Sequence, residues 1–227
     1  MGSALEQRDL FGVQKKRAEG ALQSIEEKEE FGNYFDAARM CEEYGHTDRA
    51  FENYKKSADQ QRNNARAAYV ASEKDPENNA AVFENLSDAA RSYDTAALSC
   101  EGALRTLPKE MHTKEMLRKV RRGAFNMWRM KGDLQSKIME QAYKTYIQKM
   151  DRLKKLPKEQ QRTIQEKRVR ELDSISQKCL QISIAAFSSA IEYCDDPEEQ
   201  KKLKERLAQR EQMLGASFER SLPSQAA

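Results

Sequence analysis

The chain has 227 residues, enough to bury a core as one elongated domain or two small ones. Hydrophobic residues make up 38% and charged residues 34%, with nine Gly and five Pro. That mixture, rich in strong helix formers and without β-branched runs, points to an all-α protein with extensive charged surface. The net charge of +3 conceals an asymmetry: residues 1–107 hold 14 Lys and Arg against 20 Asp and Glu, whereas residues 108–227 hold 26 against 17.

In chain order, residues 5–30 read as one helix with Leu5, Phe11 or Gly12, Ala18, Leu22 and Ile25 on a stripe. Residues 31–58 read as two short helices around a Gly turn. Tyr34, Ala37, Ala38 and Cys41 share one face of the first; Ala50, Tyr54 and Ala58 share one face of the second. Gly45 supplies a residue that tolerates the left-handed conformation, and Thr47 or Asp48 a capping oxygen. Residues 60–73 continue the helix until Asp75-Pro76 breaks it. A helix over 77–92 presents Ala81, Phe83, Leu86 and Ala90, Tyr93-Asp94-Thr95 reads as a turn, and a further helix ends at Pro108.

The second half has longer periodic segments. A basic helix at 109–131 carries Met116, Val120, Ala124, Met127 and Trp128, and Lys131-Gly132-Asp133 reads as its stop. Trp128 fits a core position better than an interface anchor. Residues 133–155 follow with Leu134, Ile138, Ala142, Ile147, Met150 and Leu153, then a break at Leu156-Pro157. From 158 to 194 one long helix places Ile164, Leu172, Ile175, Cys179, Ile182, Ala186, Phe187, Ala190 and Ile191 at intervals of three, four or seven. Asp195-Asp196-Pro197 precedes a last helix at 197–214, and 221–227 reads as a disordered tail. The organisation expected is an acidic helical-hairpin region over 1–107 and a basic long-helix bundle over 108–220. The apolar faces argue against intrinsic disorder with helical bias.

Tyr34, Ala37, Ala38, Cys41, Gly45, Ala50, Tyr54 and Ser57 stand at the spacings of a tetratricopeptide repeat, and the hairpin 31–58 resembles one. The pair of segments at 77–107 echoes it in shape only. The resemblance implies a concave helical surface that binds peptides or helices of partner proteins. The all-helical outline is also similar to that of the soluble attachment proteins of the membrane-fusion ATPase, although no motif places the chain among them.

Chemical motifs are missing from the sequence: it has no nucleophile elbow, phosphate loop, dinucleotide fingerprint or metal-protease motif. His46 and His112 lack a Cys or His at ligand spacing. The carboxylate pairs Glu42-Glu43 and Asp195-Asp196 lie beside helix ends and read as solvated groups. The expectation is therefore a non-enzymatic protein with no cofactor, metal or small-molecule substrate. Cys41, Cys100, Cys179 and Cys194 lack paired spacing and read as buried thiols. Without a signal peptide or an 18-residue apolar span, the expected compartment is the cytoplasm. Met1-Gly2-Ser3 is a poor lipidation signal because Glu6 stands where Ser or Thr is wanted, and it reads equally as a cloning remnant.

Residues 109–170 hold 19 Lys and Arg against seven Asp and Glu. Dense clusters fall at Arg118, Lys119, Arg121 and Arg122, at Arg152, Lys154, Lys155 and Lys158, and at Lys167, Arg168 and Arg170. On one face they would attract an acidic protein surface or an anionic membrane, and nucleic acid less readily, since no reader motif accompanies them. The leading functional expectation is an adaptor or scaffold binding a protein partner through helical grooves. The alternatives are a peripheral membrane or nucleic-acid binding module built on the basic half, and a structural subunit of a larger assembly. The opposed charges of the two halves also permit head-to-tail association between copies.

Overall fold

A computed structural model describes residues 19–221 except positions 154 and 156; side chains are not assigned at 146–147, 149–150, 153, 159–166, 168–170, 172–173 and 215–221. The described residues are helical and contain no strand: α1 covers 19–30, α2 Tyr34–Glu43, α3 Thr47–Lys74, α4 Asn79–Arg105, α5 Lys114–Leu153, α6 Lys158–Glu192 and α7 Pro197–Ser221. Positions 5–18 of the first expected helix and the tail at 222–227 lie outside the described residues.

Local chemistry sets most of the ends. α3 stops before Asp75-Pro76, and Asn78 Oδ1 then accepts from the Ala81 amide at 3.2 Å to open α4. A 3-10 turn at Lys109–Met111 follows Pro108, after which Thr113 Oγ1 accepts from the Met116 amide at 3.1 Å. Pro157 precedes α6, and Asp196 Oδ1 accepts from the Glu198 and Glu199 amides at 2.9 and 3.2 Å to cap α7. Between α2 and α3 the chain turns through Gly45 at φ +79°, as its position predicts. The expected capping oxygen after it is not used. His46 occupies the cap position of α3 and makes no side-chain capping bond.

Each helix packs chiefly against its neighbours in sequence, from α2 on α3 through to α6 on α7. Alternate helices therefore run parallel and form two layers. Ion pairs and polar contacts tie α3, α5 and α7 together on one side: Lys137 lies over the Tyr69 ring at 4.4 Å, and Arg206 Nη1 donates to Asp133 Oδ1 at 2.9 Å. On the other side α2 meets α4 through Glu42 and Arg105. One apolar cluster joins Ile25, Ala37, Ala38, Cys41, Ala50, Phe51, Tyr54, Ala103 and Leu107, with Met116, Leu117 and Val120 of α5 against it. The other runs from Ala65 in α3 to Leu203 in α7.

Four further expectations need correction. The turn at Tyr93-Asp94-Thr95 does not form: α4 is continuous, Tyr93 is buried, and Asp94 receives Lys131 Nζ at 2.6 Å. The stop at Lys131-Gly132-Asp133 does not form either, and α5 runs unbroken for 40 residues. Gly132 serves close approach instead: a Cβ built there would lie 2.7 Å from the Phe187 ring of α6. Phe83, Ile175 and Ile182 are partly exposed, whereas Val82, Leu86 and Ala89 of α4 and Cys179, Leu180 and Ser183 of α6 face the core. Finally, α7 continues to Ser221, past the expected end at 214.

Two helix–helix contacts share a design. Between α3 and α4, the buried Tyr54 ring lies over Gly102, where a Cβ would come within 2.5 Å of it, and Ser57 Oγ meets Ser99 Oγ at 2.9 Å. Between α5 and α6, Phe187 covers Gly132, and Ser136 Oγ meets Ser183 Oγ at 3.3 Å. In each, a glycine admits an aromatic ring, and a serine pair about one turn away links the helices. The proton not used between the two hydroxyls is donated to a backbone carbonyl, that of Thr95 in the first and of Gly132 in the second. Ser183 Oγ also donates to the Gly132 carbonyl at 3.1 Å.

Candidate partner-binding surfaces

Within the hairpin 31–58 most residues expected to face inward do so, but Ala58 is only half-buried. Ala37, Ala38, Cys41, Ala50 and Tyr54 are buried, Ser57 is buried beside them, and Tyr34 is half-buried with Lys56 Nζ 5.5 Å from its ring. Small residues at Ala37, Ala38 and Ala50 let α2 and α3 approach closely enough for Tyr54 to reach α4.

That reach creates a groove between α2 and α4, lined by Phe35, Arg39, Glu42, Glu43, Tyr54, Leu98 and Arg105. Its floor is fixed by a polar chain. Tyr54 Oη donates to Glu42 Oε2 at 2.7 Å, and Arg105 donates through Nε and Nη2 to the two Glu42 oxygens at 3.2 and 3.3 Å. The Arg105 bond holds the Glu42 carboxyl below its usual range despite partial burial. Burial, reinforced by Glu42, pushes the Tyr54 phenol up to about 12, so it remains a donor. The Phe35 ring stands edge-on to Tyr54 with centroids 6.0 Å apart, and Leu98 on the opposite wall is 39% exposed. Arg39 and Glu43 are exposed at the rim. The groove thus offers apolar contact on both walls and charges of both signs at its edges.

Glu42 is therefore not the solvated group its sequence position suggests; it is held by two partners, while Glu43 beside it is exposed. Asp195 pairs with Arg121 Nε at 3.3 Å, and Asp196 caps α7. His46 is exposed, and His112 lies 2.9 Å from the Leu107 carbonyl through Nε2. Trp128 is buried and donates Nε1–H to Glu101 Oε1 at 2.7 Å. The four cysteines are free thiols, with burial pushing Cys100 up to about 12. No group of three metal-ligating side chains converges among the described residues.

The basic clusters do not converge. Because α5 is unbroken, Arg122 and Arg152 are separated by about 45 Å along its axis. At the first end Arg118 and Lys119 are exposed, but Arg121 donates to Asp195 and to the Glu192 carbonyl, and Arg122 forms a two-pronged pair with Glu199. At the other end α5 and α6 meet in a hairpin tip where Arg152, Lys155 and Lys158 are exposed, with Lys167 exposed further along α6. Lys154 lies outside the described residues, and the side chains of Arg168 and Arg170 are not described.

The groove residues Phe35, Arg39, Leu98 and Arg105 were not singled out by the sequence reading. A signal for half of them exists: Glu84, Arg91, Leu98 and Arg105 recur every seven residues on the exposed side of α4. Comparison with protein families, curated proteins and solved structures returns no match. No helix among the described residues is long and apolar enough to cross a membrane.

Proposed function

We propose that the protein is a non-enzymatic helical scaffold that holds a segment of a partner protein in the groove between α2 and α4. The observation that carries this reading is the combination of exposed Leu98, half-buried Phe35 and a floor locked by the Tyr54–Glu42–Arg105 chain. A locked floor presents its walls without reorganisation, which lowers the ordering cost of binding. The tetratricopeptide-like reading of 31–58 belongs to this proposal, and the buried small residues and the left-handed Gly45 support it. In this reading the acidic region 1–107 is the recognition half and the basic region 108–220 a buttress. Four free thiols suit a reducing cytoplasm.

The test is affinity capture from the native cell with quantitative identification of retained proteins, comparing the wild type with Leu98→Asp combined with Arg39→Glu. Both side chains are exposed, so far-ultraviolet circular dichroism should be unchanged. Loss of a central contact weakens binding by roughly 30-fold, enough to remove a specific partner from the retained set. Retention of the same proteins in the same amounts by the double variant would sink the reading.

A further inference from the structure

A dense group of exposed cations sits far from the groove, at the tip of the α5–α6 hairpin. Residues 144–170 contain ten Lys and Arg against three Asp and Glu. Arg152, Lys155 and Lys158 bracket the turn, and Lys144 and Lys167 lie on the two helices leading into it; all five are exposed. None of the five has an ion-pair partner among the described residues, in contrast to Arg121 and Arg122 at the opposite end of α5.

We propose that this tip docks end-on to an anionic phospholipid surface. Its shape favours a bilayer over nucleic acid. The cations gather at the end of two antiparallel helices, a spot that meets a plane, whereas single-stranded nucleic acid is bound along a groove with aromatic side chains that stack its bases. The exposed Tyr143 lies about 13 Å back along α5 from Arg152. Arg152, Lys155 and Lys158 follow at three-residue intervals, from the last turn of α5 through the connection to the first residue of α6. At the end of the hairpin they can approach the layer about 8 Å deep in which a lipid surface potential acts at physiological ionic strength. Glu77 and Asp151 line the hollow that Lys144 and Arg152 border, so the contact falls to the cations at the turn itself. The α2–α4 groove lies by the opposite end of α5, where Met116, Leu117 and Val120 pack, and stays accessible when the tip meets the surface.

Sedimentation with vesicles of neutral phosphatidylcholine, and with vesicles containing 30% phosphatidylserine, tests this on the full chain. Binding should appear only with the anionic vesicles and fall as salt rises. Each tip cation contributes about fivefold, so Arg152→Gln, Lys155→Gln and Lys158→Gln together should weaken partition on the order of a hundredfold. Arg118→Gln with Lys119→Gln, at the other end of α5, should leave it within a fewfold of wild type. Circular dichroism confirms that each variant keeps its helices. Equal binding by the tip variant, equal loss in the Arg118 and Lys119 variant, or no preference for anionic vesicles each overturns the proposal. So does a gel shift in which single-stranded RNA is retained through the tip while vesicles are not.

Discussion

The α3–α4 and α5–α6 contacts solve one packing problem with the same parts and then diverge. In both, a helix-interior glycine receives an aromatic ring from the neighbouring helix, and a pair of serines closes the contact. In the second, the ring is Phe187, buried and without a polar atom of its own. In the first, the ring is Tyr54, whose hydroxyl leaves the core and binds Glu42, which in turn holds Arg105 at the surface. One oxygen atom thus separates a contact made by packing of the ring from one that also bonds the floor of a groove. Structural need explains the ring in both places, but only the first ring carries a hydroxyl that bonds a surface ion pair; Phe187 lines its hollow, beside Asp133 and Arg206, through the ring alone.

The largest effects should come from removing the rings. Phe187→Ala and Tyr54→Ala each empty a fully buried site and should cost about 3–5 kcal/mol, read as a lower denaturation midpoint. If the two contacts are equivalent in packing, the two losses should agree within about 1 kcal/mol after allowance for the hydroxyl. A much smaller loss at Phe187 would show that the second contact is loosely packed and the likeness only geometric.

Glycine replacement comes next. Gly102→Ala and Gly132→Ala gain helix propensity, worth up to about 1 kcal/mol, but drive a methyl group into an aromatic ring that has little room to move. Both should be destabilising on balance, by about 1–3 kcal/mol, with Gly102 the more sensitive because the clash is closer, 2.5 Å against 2.7 Å. Thermal unfolding followed by circular dichroism gives the order. A stabilising effect at either site would mean that the ring is free to shift.

These glycines mark how much of the fold is readable without coordinates. Pro76, Pro108, Pro157 and Pro197 announce breaks because proline acts on its own backbone, and the boundaries around them were legible. Gly132 misleads because a glycine that ends a helix and one that admits a ring look alike locally. What distinguishes them is Phe187, 55 residues away in sequence and unknown until the helices are paired. The same nonlocal dependence hides the groove. Tyr54 was recognisable as the filler of its hairpin, yet Arg105, the second partner of Glu42, is brought to it only by the α3–α4 pairing. The density of basic residues was equally plain, but their division between two ends follows from α5 being a single helix.

Smaller in effect, Tyr54→Phe converts the first contact into a copy of the second. The ring and its seat on Gly102 remain, so stability should fall by only about 1 kcal/mol for the lost bond to a charged acceptor. The consequence should be larger at the surface, where Glu42 keeps Arg105 but loses its anchor to the core. Partner capture through the groove should weaken more than stability does. A variant that captures normally would show that the floor does not depend on the hydroxyl.

The smallest difference is one of pH, and it belongs to the first contact alone. Arg105 holds the folded Glu42 carboxyl below its ordinary range, so the native state favours the ionised form more than the unfolded chain does. Its contribution is therefore complete above the ordinary glutamate value, about pH 4.3, and declines as pH falls through the lower folded value. Because the Glu42 side chain is 34% exposed, the contribution should not exceed about 1 kcal/mol. Wild type and Glu42→Gln should differ in denaturant midpoint at pH 7 and converge as the solution is acidified below pH 4.3. The α5–α6 contact contains Phe187, Gly132, Ser136 and Ser183 and has no carboxylate to protonate. Ser136→Ala should accordingly shift the midpoint by the same amount at both pH values. A gap between wild type and Glu42→Gln that stays constant down to pH 3 would show that the Tyr54–Glu42–Arg105 chain adds nothing to the folded state through its charge, leaving the two contacts equivalent.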